Sequence, residues 1–172
     1  MSKFIWVVSP ENSRIYINLK RQRIGQLNAE LIPISGEVTA DDYFTNPEVF
    51  LFIETQSLKT RYPEQNKFLQ SPDILNADKY PLIEFNSIGG CRLRSGSIWE
   101  LTGDVTIKGS RYPLTLIVDQ SDIKQNRKTK TALFRLFGEL NLENADFNCS
   151  DEDHFGRIIS IEAEIALQAK RS

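Results

Sequence analysis

Histidine is nearly absent from this chain: 172 residues contain one, His154, with two cysteines and one methionine. A zinc site draws three or four ligands from such residues, and a histidine-based triad needs its base beside a nucleophile, so the composition argues against both. Charge of one sign is missing too. The 21 basic and 23 acidic residues leave a formal charge of −2, which gives no electrostatic footing for DNA or RNA. Long apolar runs are also lacking. The chain opens Met1-Ser2-Lys3, and only Phe4 to Val8 are apolar before Ser9-Pro10-Glu11, too short a run for a signal peptide. No later segment approaches the roughly 18 apolar residues of a spanning helix. The expectation is a cytoplasmic chain that does not span a membrane, with Cys91 and Cys149 as free thiols. Asn148-Cys149-Ser150 is then a chance match to a glycosylation acceptor.

What the chain does have is 40% hydrophobic and 26% charged residues, the balance of a soluble globular protein whose length suits a single domain over residues 1–172. Stretches rich in Val, Ile, Phe and Thr recur between turn-type residues. They predict strands at Lys3–Val8, Arg14–Lys20, Asn28–Val38, Glu48–Ser57, Pro81–Ile88, Ser97–Lys108, Tyr112–Gln120, Thr131–Asn141 and Gly156–Ala169. Gly89-Gly90, Gly109-Ser110-Arg111 and Asn126-Arg127-Lys128 punctuate them, and the last two imply antiparallel hairpins. The exception is the Pro-containing stretch from Arg61 to Asp78, which predicts short helical turns around residues 63–77, with Ser71 and Asp73 placed to satisfy amides at a helix start. An all-β domain of this size is a sandwich or a closed barrel.

Facing narrows what its interior can do. From Trp99 to Lys108 the odd positions are apolar or glycine, and the even ones are Glu, Thr, Asp, Thr and Lys. The same period of two separates Ile15, Ile17 and Leu19 from Tyr16, Asn18 and Lys20, and it sets Ile159, Ile161, Ala163, Ile165 and Leu167 against Glu162 and Glu164. Nearly all of the inward set is therefore aliphatic or phenyl. In an eight-stranded barrel it either fills the interior or surrounds one slender ligand. Such a lining cannot repay the desolvation of a polar molecule. A ligand there must be a hydrocarbon, gaining about 0.8 kcal/mol per buried methylene. The expected lining is Ile17, Leu51, Ile53, Phe85, Trp99, Leu101, Val105, Leu116, Leu136, Ile161 and Ile165.

Two segments carry a family resemblance. Gln70 to Ser87 places a helical turn ending in Asp73-Ile74-Leu75 before Tyr80-Pro81 and a strand with Phe85-Asn86-Ser87. Leu101-Thr102-Gly103-Asp104-Val105-Thr106-Ile107-Lys108-Gly109 follows, then Pro113-Leu114-Thr115-Leu116. With Trp6 to Ser13, Ser35-Gly36, Ser57 to Thr60 and the Ile-rich closing strand in order, the chain resembles the YceI-like family from end to end. The resemblance implies a lipocalin-like antiparallel barrel of eight strands that binds the isoprenoid tails of quinones or prenyl phosphates, without enzymatic activity and with no cofactor beyond that lipid. This sequence departs from the family pattern at polar positions: Ser9 and Asn12 replace an Asp and a His, Lys20 to Arg23 replaces a His-containing stretch, Gln65, Asn66 and Lys67 replace acidic and His residues, and Asn144 stands near a usual Arg. Those positions suit the orienting of a head group, so the resemblance carries tail binding further than head-group binding.

Candidates for chemistry are few. Glu162 and Glu164 share the outward face and read as solvated carboxylates, and His154 lies among Asp146, Asp151, Glu152 and Asp153 as a surface residue. Cys91 follows two glycines in a turn, a setting able to lower a thiol's pKa, yet a lone cysteine in a turn is usually passive. Gly103 to Gly109 fails as a phosphate loop because its lysine precedes the second glycine. The rival to a lipid binder is a protein-interaction or stress-response module that uses the barrel as a scaffold, with the basic run Lys124, Arg127, Lys128, Lys130 and the acidic Asp146–Asp153 loop as contact surfaces. Phe50 and Phe52, opposite Leu51 and Ile53, put apolar residues on both faces of one strand, the pattern of a homodimer contact.

Overall fold

The computed structural model describes residues 3–21, 25–143, 145, 147 and 155–170. Its strands are β1 (Phe4–Val8), β2 (Arg14–Arg21), β3 (Gly25–Leu31), β4 (Pro33–Ala40), β5 (Glu48–Glu54), β6 (Leu82–Ser87), β7 (Arg92–Ser95), β8 (Ile98–Ile107), β9 (Ser110–Asp119), β10 (Lys124–Asn126), β11 (Thr131–Asn141) and β12 (Phe155–Ala169). The ring runs β11-β9-β8-β6-β5-β4-β1-β12 and closes where β11 pairs with β12. It is an eight-stranded antiparallel barrel, as expected, and closure removes the edges an open sheet would expose.

The remaining segments are continuations of ring strands past local breaks. On β12, Trp6 of β1 stands opposite Ala169, whereas Ile15 of β2 stands opposite Ala163, three residues out of step. The extra residues form the short 3-10 turn Pro10–Asn12. Such a break strands a ladder group, and the buried Ser13 supplies the substitute: its Oγ accepts the Ala166 N–H at 2.9 Å. β9 and β10 are one strand interrupted in the same way by the 3-10 turn Gln120–Asp122. β3 and β4 are divided at Ile32, whose N–H donates to Ser57 Oγ at 2.9 Å. The single strand expected over Asn28–Val38 is thus two, and the Asn126-Arg127-Lys128 turn follows a strand that sequence periodicity left out.

Hairpin chemistry is local. Lys108 and Gly109 both have positive φ, 51° and 79°, the two-residue turn whose twist matches its flanking strands. Gly103 serves a different need. A Cβ there would collide with the Asn86 carbonyl oxygen and come within 2.7 Å of the Phe85 ring, so the missing side chain is the space the ring occupies. Gly103→Val is expected to cost about 1–3 kcal/mol through overpacking, read as a lower midpoint in urea with an unchanged slope.

The helical insertion is α1 (Pro63–Gln70). Proline at its first position loses no hydrogen bond. Ser71 corrects the sequence reading: it ends this helix, and its Oγ donates to the Phe68 carbonyl at 2.6 Å. Asp73 lies in the turn that follows α1, so it starts no helix either. The insertion is sewn to the barrel by Gln70, whose Nε2 donates to the Gln56 and Leu58 carbonyls at 3.1 Å each, and by Thr55 Oγ1 donating to the Tyr80 carbonyl at 2.9 Å. Its apolar residues Leu69, Ile74, Leu75 and Ala77 are buried.

Candidate functional site

The inward faces of the strands surround a cavity of about 350 Å³, within the size range of ligand sites. All eleven residues expected in the lining are there. Ile17 comes from β2, Leu51 and Ile53 from β5, and Phe85 from β6. Trp99, Leu101 and Val105 follow along β8, Leu116 comes from β9, Leu136 from β11, and Ile161 and Ile165 from β12. They meet because antiparallel pairing keeps register partners on one face: Phe85 stands opposite Val105, Leu101 opposite Leu116, and Leu136 opposite Ala163.

The cavity is polarised along the barrel axis. At one end Leu58, Leu69, Ile74, Leu75 and Leu142 close it, each less than a tenth exposed. At the other end lie the polar lining groups: Tyr43, Thr45 and Asn46 from the β4–β5 loop, Cys91 and Trp99 from the β7–β8 hairpin and its approach, and Gln120 beyond β9. Among the described residues no Asp, Glu, Lys, Arg or His lines the cavity.

The β4–β5 loop has its own architecture, which periodicity could not reveal. The buried Asp41 carboxylate accepts the N–H groups of Tyr43 at 3.0 Å and Thr45 at 3.1 Å, an aspartate-centred turn. Phe44 and Asn46 adopt φ of 55° and 47°. The left-handed region is ordinary for asparagine and costs a phenylalanine about 1 kcal/mol or more. That conformation turns Phe44 inward, with its ring 4.7 Å from both Trp6 and Phe134. The loop is held from outside as well: Gln125 Nε2 donates to the Asp42 carbonyl at 2.8 Å, Lys130 Nζ meets the Asp42 carboxylate at 2.9 Å, and the Arg127 guanidinium lies 4.7 Å above the Tyr43 ring.

Several sequence candidates find other roles. Asn12 donates to Ser9 Oγ, and Asn66 Oδ1 accepts from Thr60 N and Oγ1 at 2.7 Å each. Neither Ser9 and Asn12 nor Gln65, Asn66 and Lys67 line the cavity. Glu162 and Glu164 face outward onto Arg135, at 2.6 Å and 3.9 Å. The Glu162 hydrogen bond, more than any other influence, raises the Arg135 pKa. Burial pushes the Cys91 pKa up, which makes the thiol a poorer nucleophile at neutral pH, in line with a passive cysteine. His154, Cys149, Asn144, Asp146, Asp151, Glu152 and Asp153 lie outside the described residues.

The model of the YceI-like domain matches residues 6–170. The chain belongs to the YceI-like family. This YceI-like chain is 31% identical over 149 residues to Protein YceI of Shigella flexneri, covering 82% of this chain and 74% of that one, with the same values for Protein YceI of Escherichia coli O157:H7. Among solved structures, Burkholderia cenocepacia BcnA superposes with a TM-score of 0.76 at 18% identity, covering 92% of this chain and 98% of BcnA. A polyisoprenoid binding domain from Saccharophagus degradans superposes with a TM-score of 0.64 at 9% identity, covering 96% and 98%. These distant neighbours share the YceI-like barrel.

Proposed function

We propose that this YceI-like chain is a non-enzymatic binder that encloses one long apolar lipid, an isoprenoid tail of the kind carried by quinones and prenyl phosphates. The observation that carries this reading is the lining: about 350 Å³ bounded by uncharged side chains and sealed at the helical end by buried leucines and isoleucine. Water gains little in such a space, whereas each methylene entering it gains about 0.8 kcal/mol. Its likeness in fold to the Saccharophagus degradans domain, described as polyisoprenoid binding, supports the same class of ligand. The polarity of the cavity orients it. The tail points toward Leu69, Ile74 and Leu75, and the head lies among Thr45, Asn46 and Gln120, whose amides and hydroxyl can meet a carbonyl or a phosphate oxygen.

Solvent extraction of purified protein followed by mass spectrometry tests the reading. A stoichiometric isoprenoid in the extract, or uptake of an added prenyl quinone quenching the fluorescence of cavity-lining Trp99, is the expected result. Protein free of lipid that also takes up no prenyl quinone and no squalene would overturn it. Of the two contact surfaces in the rival scaffold reading, the basic hairpin lies among the described residues and most of the acidic Asp146–Asp153 loop lies outside them.

A further inference from the structure

The strand registers place one set of loops and hairpins at the polar end of the barrel: residues 41–47, the β7–β8 hairpin, and the β10–β11 hairpin. The β7–β8 hairpin continues the inner face of the wall beyond the ring. Leu93 stands opposite Trp99, and Leu101 follows two residues further along β8, so one apolar strip runs from the buried Leu101 past half-buried Trp99 to Leu93, which is 52% exposed. Tyr43, which lines the cavity, is 56% exposed at the same end, and Ile88 is 58% exposed.

Cations surround this apolar rim. The stretch 124–130 holds Lys124, Arg127, Lys128 and Lys130 and no acid, and β7 adds Arg92 and Arg94. Of the nearby acids, Asp42 is paired with Lys130 and Glu100 with Arg94, Asp119 accepts from the Ser97 and Ser121 hydroxyls at 2.7 Å each, Asp122 acts on Arg135, and Glu48 is exposed at the start of β5. Among the described residues Lys124, Lys128 and Arg92 have no acidic partner, and Arg127 contacts only the Tyr43 ring face. The opposite end also exposes apolar side chains such as Tyr62, but Glu54, Glu64, Asp73 and Asp78 are interleaved with its lysines. Among the described residues, the polar end joins exposed apolar groups, unpaired cations and access to the cavity.

We propose that this end docks the barrel onto an anionic lipid bilayer, with Leu93, Ile88 and Tyr43 entering the interface and Lys124, Arg127, Lys128 and Arg92 held at the lipid phosphates. Amphipathic anchoring of this kind combines apolar insertion with about 1 kcal/mol per basic residue near an anionic surface. The Leu93–Trp99–Leu101 strip then lets a hydrocarbon tail pass from bilayer to cavity without crossing water. The inference rests on the lipid-binding reading for its cargo, and its test separates the two.

Flotation with vesicles of phosphatidylcholine, with and without phosphatidylglycerol, measures docking. Uptake of a prenyl quinone from detergent solution, read by Trp99 fluorescence, measures cavity binding independently. The intact chain is expected to float with the anionic vesicles, not with the neutral ones, and to be released by high salt. Lys124→Glu with Lys128→Glu, and separately Ile88→Glu with Leu93→Glu, are each expected to weaken flotation about tenfold or more. The control pair Lys59→Glu with Lys67→Glu at the other end is expected to float normally. Absence of flotation with intact quinone uptake would overturn docking alone, as would equal losses in the control pair. Retention on a polyanion resin without vesicle binding would instead assign the surface to an acidic protein and also overturn the proposal. Absence of quinone and squalene uptake from detergent by protein whose extract holds no lipid would overturn the lipid-binding reading itself.

Discussion

Leu101→Asp is expected to empty the cavity and to cost about 3–5 kcal/mol of stability at neutral pH, the scale of an uncompensated buried charge. Leu101 is 5% exposed in a wall where no described cation reaches the lining. Burial raises the pKa of the new carboxyl in the folded state above its unfolded value near 3.9. The sign of the pH dependence follows. The unfolded chain ionises first as pH rises, so the deficit is full at neutral pH, shrinks as pH falls through the raised folded value, and is smallest below about 3.9. Chemical denaturation of the variant and parent across that window tests this, and extraction tests lipid retention. Glu162→Gln on the outer face is the comparison: its solvent-screened pair with Arg135 is expected to leave the denaturation midpoint nearly unchanged and the lipid content the same. Equal effects of the two substitutions would contradict the assigned facing of the wall.

That facing was legible because one physical constraint writes it into every long strand. A wall dry on one side and wet on the other forces a period of two, so Trp99 to Ile107 and Ile159 to Leu167 declare their inward sides residue by residue. The same constraint is silent wherever the ladder breaks. β7 and β10 have only four and three residues, too few for a period, and their faces are largely solvated. Ser71 read as a helix start because a serine serves either end. Only the Pro63 helix ahead of it decides that its hydroxyl turns back to the Phe68 carbonyl. The polar end was the least readable part. Asp41, Phe44, Asn46 and Gln120 sit on loops, where position comes from hydrogen bonds between segments distant in sequence, such as Gln125 to Asp42, and from the left-handed backbone at Phe44 and Asn46. The positions that depart from the family pattern, Ser9, Asn12 and residues 65–67, lie off the cavity, and the described polar lining comes from other segments.

Hydrophobic alternation is the same for a filled and a hollow barrel, and Ala163→Phe distinguishes them. Ala163 is 6% exposed on β12, between Leu136 of β11 and Ile15 of β2, and it borders the cavity. In a solid core an added ring has nowhere to go, and overpacking costs about 1–3 kcal/mol. In this barrel the ring enters space that only a ligand would occupy and gains burial of its own, on the order of 2 kcal/mol against an exposed ring. The lipid-free variant is therefore expected to melt no lower than the lipid-free parent. The longest prenyl chain it retains, compared across a series of chain lengths, is expected to shorten because the ring and the tail compete for one volume. A melting temperature several degrees lower with an unchanged chain-length preference would mean that the space around Ala163 is packed and that the tail lies elsewhere.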